Sequence, residues 1–203
     1  MKKNKISKNW INKQRRDIYV RKSKIEGYRS RAIYKLKEID EKFKILKDVI
    51  TVIDLGAAPG SWSQYLSQSI NHGKILAVDI LEFQTINKVH QLIGDFTQEN
   101  SKEKIREFFD KKVDLVVSDM AVNTTGNKNL DSIVTGELCI DAMTFAKGQL
   151  NHKGKFISKL FMGTSFQEIV SEAKKVFKEV RVFKPPSSRK DSKENFIICK
   201  ILR

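Results

Sequence analysis

Two charged side chains stand where apolar ones would be expected. Lys159 interrupts Phe156-Ile157-Ser158-Lys159-Leu160-Phe161, and Asp119 ends the run Val113–Ser118. A charge at the end of a central strand is unfavourable unless it is paired or used. Each position therefore reads either as half of a structural ion pair or as a group that does chemistry. A third charged residue, Glu194, directly precedes the last apolar run, Asn195–Leu202. The first such run ends in Asp54-Leu55-Gly56-Ala57-Ala58-Pro59-Gly60. Small residues there let the backbone approach a ligand at the end of a strand. The second run ends at Asp79, 25 residues beyond Asp54, and an acid at that place can accept hydrogen bonds from both hydroxyls of a nucleoside ribose. A third candidate strand closes on Gly94-Asp95-Phe96, an acid and a ring that suit an adenine amino group and its aromatic face. Singly, each acid reads as well as a helix cap or turn residue. The ordered set after three successive strands points to a nucleoside site. A dinucleotide fingerprint fits poorly, because its further glycines are replaced by Ala58 and Ser61, with Pro59 between them.

The elements that must position these residues are legible from periodicity. Val49–Leu55, Lys74–Ile80, Val113–Asp119 and Lys155–Phe161 are short, nearly continuous apolar runs, as buried parallel strands read. Lys88–Ile93 is a further strand candidate. Helical spacing falls between them at Trp62–Ile70, Lys102–Phe109, Leu130–Leu150 and Phe166–Phe177. Upstream, Ile33, Leu36, Ile39 and Phe43 lie on one helical face. Strands alternating with helices predict a doubly wound α/β sheet with helices on both faces. The end breaks the alternation: Val180–Phe183 and Asn195–Leu202 are joined by a link too short for a packed helix. Such a link favours an antiparallel last strand. Parallel strands gather their C-terminal ends on one edge. Asp119, Lys159 and the start of the last strand, at Glu194, are expected on that edge together.

Composition narrows the partner. The chain has 203 residues, 40% of them hydrophobic, enough for one domain with a proper core. Lys and Arg total 39 against 24 Asp and Glu, a formal charge of +15. That surplus suggests a polyanionic partner such as nucleic acid, with a solvated cationic surface as the plainer alternative. Residues 1–24 carry ten Lys or Arg and one acid. They make up most of a basic arm over 1–27, helical around Trp10–Val20, ahead of a single domain over 28–203. Cys139 and Cys199, and His72, His90 and His152, show no metal-ligand spacing, so no metal is expected. No run approaches the roughly 18 apolar residues of a membrane span. The Lys- and Asn-rich start has no apolar h-region, so a cytoplasmic location is expected over secretion. Monomer is the default.

At these residues the chain resembles the FtsJ family of RNA ribose 2′-O-methyltransferases, and within it the enzymes of large-subunit ribosomal RNA. The resemblance runs from about Tyr28 to the C-terminus. It is carried by Tyr28-Arg29-Ser30-Arg31-Ala32 with Lys35-Leu36, by Asp54–Gly60 with Trp62-Ser63-Gln64-Tyr65, by Ser118-Asp119-Met120-Ala121, and by Pro186-Ser187-Ser188-Arg189. It implies a Rossmann-like class I methyltransferase fold, a mostly parallel seven-stranded sheet whose last strand is antiparallel. It implies S-adenosyl-L-methionine (SAM) as cofactor, S-adenosyl-L-homocysteine as product, and a uridine of large-subunit rRNA as target. Asp54, Gly56, Ala57, Ala58, Pro59, Gly60, Trp62, Asp79, Asp95, Phe96 and Asp119 are the expected cofactor-binding residues. The family's Lys-Asp-Lys-Glu tetrad falls on Lys35, Asp119, Lys159 and Glu194; Lys35 enters through the resemblance alone. On that reading Lys159 takes or redirects the 2′-proton, Lys35 stabilises the developing oxyanion, and the two acids position them. The expected RNA contacts are Arg15, Arg16, Arg21, Arg29 and Arg31, with Arg189 as a second jaw. Lys13, Lys22 and Lys190 extend the same surfaces. Two departures from the family pattern are Val122, where proline is usual, and Ser61, where glycine is. Methylation of tRNA or an RNA cap, and a non-catalytic RNA-binding role, are the alternatives.

Overall fold

The alternating pattern folds as βαβ units, because each strand buries both faces only when helices cover the sheet on each side. The computed structural model describes residues 16–121 and 128–203. The expectations for Lys13, Arg15 and Val122, and the part of the Trp10–Val20 helix before residue 16, lie outside them. The described elements, in chain order, are α1 (Ile18–Ile25), α2 (Ile33–Phe43), β1 (Thr51–Leu55), α3 (Ser61–Ser69), β2 (Lys74–Asp79), β3 (Val89–Ile93) and α4 (Glu99–Phe108). They continue with β4 (Val113–Ser118), α5 (Lys128–Gln149), β5 (Leu150–Phe161), α6 (Phe166–Val176), β6 (Phe177–Phe183) and β7 (Glu194–Leu202).

The sheet has seven strands in the order β3-β2-β1-β4-β5-β7-β6. β1 to β5 pair in parallel, and β7 is antiparallel to both β5 and β6. The expected class I methyltransferase topology is therefore the observed one. The chain winds one way from β1 to β3 and the other way from β4, so a crevice opens beyond the C-terminal ends of β1 and β4.

Alternate strand residues feed two apolar layers. Ile53, Leu55, Val116, Phe156 and Leu160 pack with Ile105, Met143 and Ile169 from α4, α5 and α6. Val52, Leu115, Val117, Ile157 and Phe196 pack with Leu36 and Ile39 of α2 and with Trp62 and Leu66 of α3. The period of two sorts one strand into both layers.

Several boundaries differ from the sequence reading, and two of them have a clear physical reason. β5 starts at Leu150, not Lys155, because its register shifts between the Val113–Leu150 and Leu115–Lys155 pairs. The extra residues between them leave the ladder irregular and blur the period. β6 starts at Phe177, a fully buried ring stacked on Phe156 at 6.2 Å. The described part of the expected arm is also more than a tether. Asp17 caps α1 by accepting the Tyr19 N–H at 3.1 Å, Tyr19 packs on Tyr34 at 5.3 Å, and Ser23 is buried. No helix among the described residues is long and apolar enough to cross a membrane.

Candidate active site

β4 and β5 run side by side with Ser118 opposite Ser158, so the next residue of each, Asp119 and Lys159, leaves the ladder at one level. The Lys159 ammonium donates to Asp119 Oδ1 at 2.9 Å and also to the Asp119 carbonyl oxygen. Across the antiparallel pair, Lys159 faces Phe196 and Phe161 faces Glu194, which brings Glu194 to the same edge. α2 lies over this corner, held by Leu36 and Ile39 in the core, and its first turn delivers Lys35. The Lys35 ammonium donates to Glu194 Oε2 at 2.8 Å and lies 3.6 Å from Asp119 Oδ2. All four members of the expected tetrad meet in one chain of ion pairs, Lys159–Asp119–Lys35–Glu194.

The electrostatics follow from the pairing. Burial works to lower the pKa of Lys35, yet attraction to Asp119 and Glu194 outweighs it and the net shift is upward. Burial likewise works to raise Asp119, and Lys159 and Lys35 overcome it, holding the carboxyl below its ordinary value. Lys35 is thus a permanent cation, which suits stabilising negative charge on a neighbouring oxygen.

Asp119 also forms part of the wall of a cavity of about 430 Å³ with Gly56, Ala58, Asp79, Asp95 and Phe96. Met120 and Leu138 supply apolar surface on the same wall. Asp79 Oδ2 accepts the Ala58 N–H at 2.8 Å and Oδ1 accepts the Leu81 N–H at 2.9 Å. Those bonds fold the Gly56–Gly60 loop over the end of β2, and each carboxylate oxygen keeps acceptor capacity. Gly56 has φ +72°, and a Cβ there would stand 2.5 Å from the Met120 side chain; only glycine lets the loop pass so close. Asp95 accepts the N–H and hydroxyl of Thr97 at 2.9 and 2.7 Å, which lowers its pKa. Acids at two strand ends with apolar surface between them match the donor set of a nucleoside, so the residues fit SAM.

Some expected cofactor residues stand behind this wall. Asp54 is 1% exposed and accepts the Ser63 hydroxyl at 2.6 Å. Its burial raises the carboxyl to about 7. Trp62 donates its indole N–H to the Ala32 carbonyl at 2.9 Å and packs on Phe196, tying α3 to α2 without lining the cavity. Ala57, Pro59 and Gly60 shape the loop. Ser61, the departure at the helix start, is buried and shares a 2.6 Å hydrogen bond with Ser30.

The expected RNA residues divide. Arg16 and Arg21 are exposed on and before α1. Arg29 gives donors to the Pro59 and Thr85 carbonyls, each at 3.0 Å, and covers the Phe83 ring, so it braces the cofactor loop. Arg31 and Arg189 both reach Asp17, beside a smaller cavity lined by Ser30, Lys35, Ser192 and Glu194. Sequence reasoning missed Ser188, whose hydroxyl donates to Glu194 Oε1 at 2.7 Å. Its signal was present in the Pro186–Arg189 match. It also missed Ser63, which stood in the Trp62–Tyr65 match, and Asp17, for which composition and spacing carried no signal.

The sequence matches the family model of FtsJ-like methyltransferases over residues 28–202. It is 62% identical over 203 residues, all of both chains, to Ribosomal RNA large subunit methyltransferase E of Pelagibacter ubique (strain HTCC1062). The protein of the same name from Rickettsia akari (strain Hartford) is 46% identical over 199 residues, 95% of this chain and 88% of the other. Among solved structures, a Plasmodium falciparum protein described as a ribosomal RNA methyltransferase superposes with a TM-score of 0.77 at 31% identity, over 86% of this chain and 98% of that one. Human methyltransferase-like protein 13, solved in complex with SAH, shares the fold at a TM-score of 0.57 and 15% identity, over 83% and 79% of the two chains.

Proposed function

The chain belongs to the FtsJ-like methyltransferase family, and from that premise we propose that it methylates the ribose 2′-hydroxyl of a uridine in large-subunit ribosomal RNA. One observation carries the reading: Asp119 lines the cofactor cavity and forms ion pairs with both lysines of the tetrad at once. A methyl donor and a proton-handling cluster therefore share a wall. The substrate class is supported by the relatives' names and by the +15 charge.

SAM supplies an electrophilic methyl group on a sulfonium. Asp79 and Asp95 would hold its ribose and adenine, with Gly56 and Ala58 at the close approach. The 2′-hydroxyl is a weak acid and needs help to attack. Once the Lys159 ammonium has released a proton to solvent, its Nζ takes that of the 2′-hydroxyl as the methyl transfers, with Asp119 Oδ1 fixing the direction of that nitrogen. Lys35, held cationic by Glu194 and Asp119, stabilises charge growing on the ribose oxygen. Glu194 positions Lys35 and is itself oriented by Ser188. Arg31 and Arg189, on the groove beside Lys35, and the exposed Arg16 and Arg21 would hold phosphates; Arg15 extends that set. The enzyme would act as a monomer in the cytoplasm, on a ribosomal subunit or its precursor; its two described cysteines are free.

The test is tritium transfer from labelled SAM to large ribosomal subunits, protein-free rRNA and tRNA, followed by nuclease mapping. The expected product is an alkali-resistant dinucleotide in large-subunit RNA. Label in tRNA alone would keep the chemistry and overturn the substrate. SAM binding without label in any RNA would return the non-catalytic reading.

A further inference from the structure

Three elements that deliver a catalytic residue at one end build a second feature at the other. β5 carries Lys159 and, earlier, Lys155; β7 carries Glu194 and Lys200; α2 presents Lys35 and ends at Phe43. Lys155 and Lys200 are register partners across β5 and β7. Lys155 Nζ donates to the carbonyls of Ile45 and Lys47 at 2.8 and 2.6 Å, and Lys200 Nζ to that of Phe43 at 2.7 Å. These are carbonyls at and just beyond the C-terminal turn of α2, which lack helical partners.

The bonds fix both ammoniums at a cavity of about 500 Å³, which Lys44, Lys47 and Lys153 also line. Those three are exposed. Among the described residues none of the five lysines forms an ion pair. Two acids, Asp48 and Asp114, share the lining. Asp114 is already occupied by the N–H groups of Ile50 and Thr51, the Thr51 hydroxyl and the Asn151 amide. Burial and repulsion by Lys200 push the Lys155 pKa down, as expected where cations outnumber anions. A merely solvated lysine surface would not pin two ammoniums to the main chain.

We propose that this pocket, on the edge of the sheet opposite the tetrad, binds backbone phosphates of the RNA substrate as a second contact. The proposal rests on the RNA reading above. An ammonium has three donors, so Lys155 keeps one free and Lys200 two, and a phosphate oxygen would accept them. Lys155 and Lys159 are four residues apart, about 13 Å along a strand, and lie towards opposite edges. An RNA touching both edges must therefore pass around the protein from one end of these strands to the other.

The test replaces the exposed lysines together, Lys44→Ser, Lys47→Ser and Lys153→Ser, leaving Lys155 and Lys200 to hold α2. Binding to protein-free large-subunit rRNA and to large ribosomal subunits is measured across salt concentrations. The slope of log Kd against log salt should fall by about 2 to 3, near one per lost phosphate contact, with affinity about tenfold weaker or more. SAM affinity, thermal melting and turnover at saturating RNA should not move. An unchanged slope overturns the proposal. A change with subunits but none with protein-free rRNA also overturns it, by pointing to a protein partner. Absent methyl transfer by the unaltered chain would strike the proposed function instead, because the slopes are read without turnover.

Discussion

Asp54 and Asp119 stand at the ends of neighbouring strands of the sheet, β1 and β4, on the same edge; Asp54 is 1% exposed, while Asp119 keeps 17% of its side chain exposed at the cavity wall. They nevertheless titrate in opposite directions. Asp54 has a hydroxyl for a partner and is pushed up to about 7 by burial. For Asp119 desolvation also works upward, but Lys159 and Lys35 outweigh it and hold the carboxyl ionised. Burial alone favours the neutral acid; a cation within ion-pair distance decides otherwise. The same crevice thus keeps one carboxylate as a charged organiser of two lysines and leaves another about half protonated near pH 7 beneath the cofactor loop.

The largest effect should come from removing the cation that defines the contrast. Lys159→Ala should lower turnover by about 10²- to 10⁴-fold, the range for a positioned proton-transfer group, while SAM affinity stays nearly constant. Single-turnover tritium transfer and calorimetric SAM titration read the two quantities, and retained turnover would remove Lys159 from its role. Next, Asp119→Asn takes the shared anion from between two buried ammoniums. Breaking such a network costs about 3–5 kcal/mol, measurable by urea unfolding. A loss well under that would mean that Asp119 organises little.

The opposite pKa shifts predict opposite pH dependence. Asp54 titrates at about 7 in the folded chain and at about 3.9 unfolded. The folded state holds the extra proton between those values, so stability falls as pH rises from about 4 to about 7 and is level above. At about 1.4 kcal/mol per unit the upper bound is about 4 kcal/mol. Asp54→Asn should abolish that slope, and the stability difference between it and the unaltered chain at pH 5 and pH 8 measures it. Asp119, lowered when folded, contributes above about pH 4, and that contribution is lost as pH falls through its folded value. The gap between Asp119→Asn and the unaltered chain should therefore shrink on acidification.

The smallest effect belongs to a positioning residue. Ser188→Ala removes the hydroxyl that orients Glu194 and should lower kcat about tenfold, equivalent to about 1.4 kcal/mol, with KM little changed. Ser188→Thr, which keeps the hydroxyl, should restore it. Equal loss in both variants would mark Ser188 as structural.

Much of the fold was legible. Each parallel strand read as a short apolar run because helices cover both faces of the sheet, and α2 and α3 read through their apolar spacing. β5 was read late because the irregularity after Leu150 breaks the pattern, and the start of β6 was hidden because Phe177 continues the helical spacing of α6. In the site, Asp119 and Lys159 stood out because a charge in an apolar run is unfavourable. Ser63 and Ser188 did not, since a serine carries no such signature.

By itself the sequence determined the alternation of strands and helices, the close-approach loop at Gly56, the acids at the strand ends and the excess of positive charge. These are local properties, written in periods of two and 3.6 residues and in composition. The tertiary structure decided how the gathered charges pair. Lys35 and Glu194 bond across 159 residues of chain, and their pairing, with the lysines at the opposite edge, follows from β7 entering between β5 and β6. The ionisation of Asp54 and Asp119 was decided there too, because a carboxyl's pKa depends on the charges folded against it and the water excluded from it, and neither is written in its neighbours along the chain.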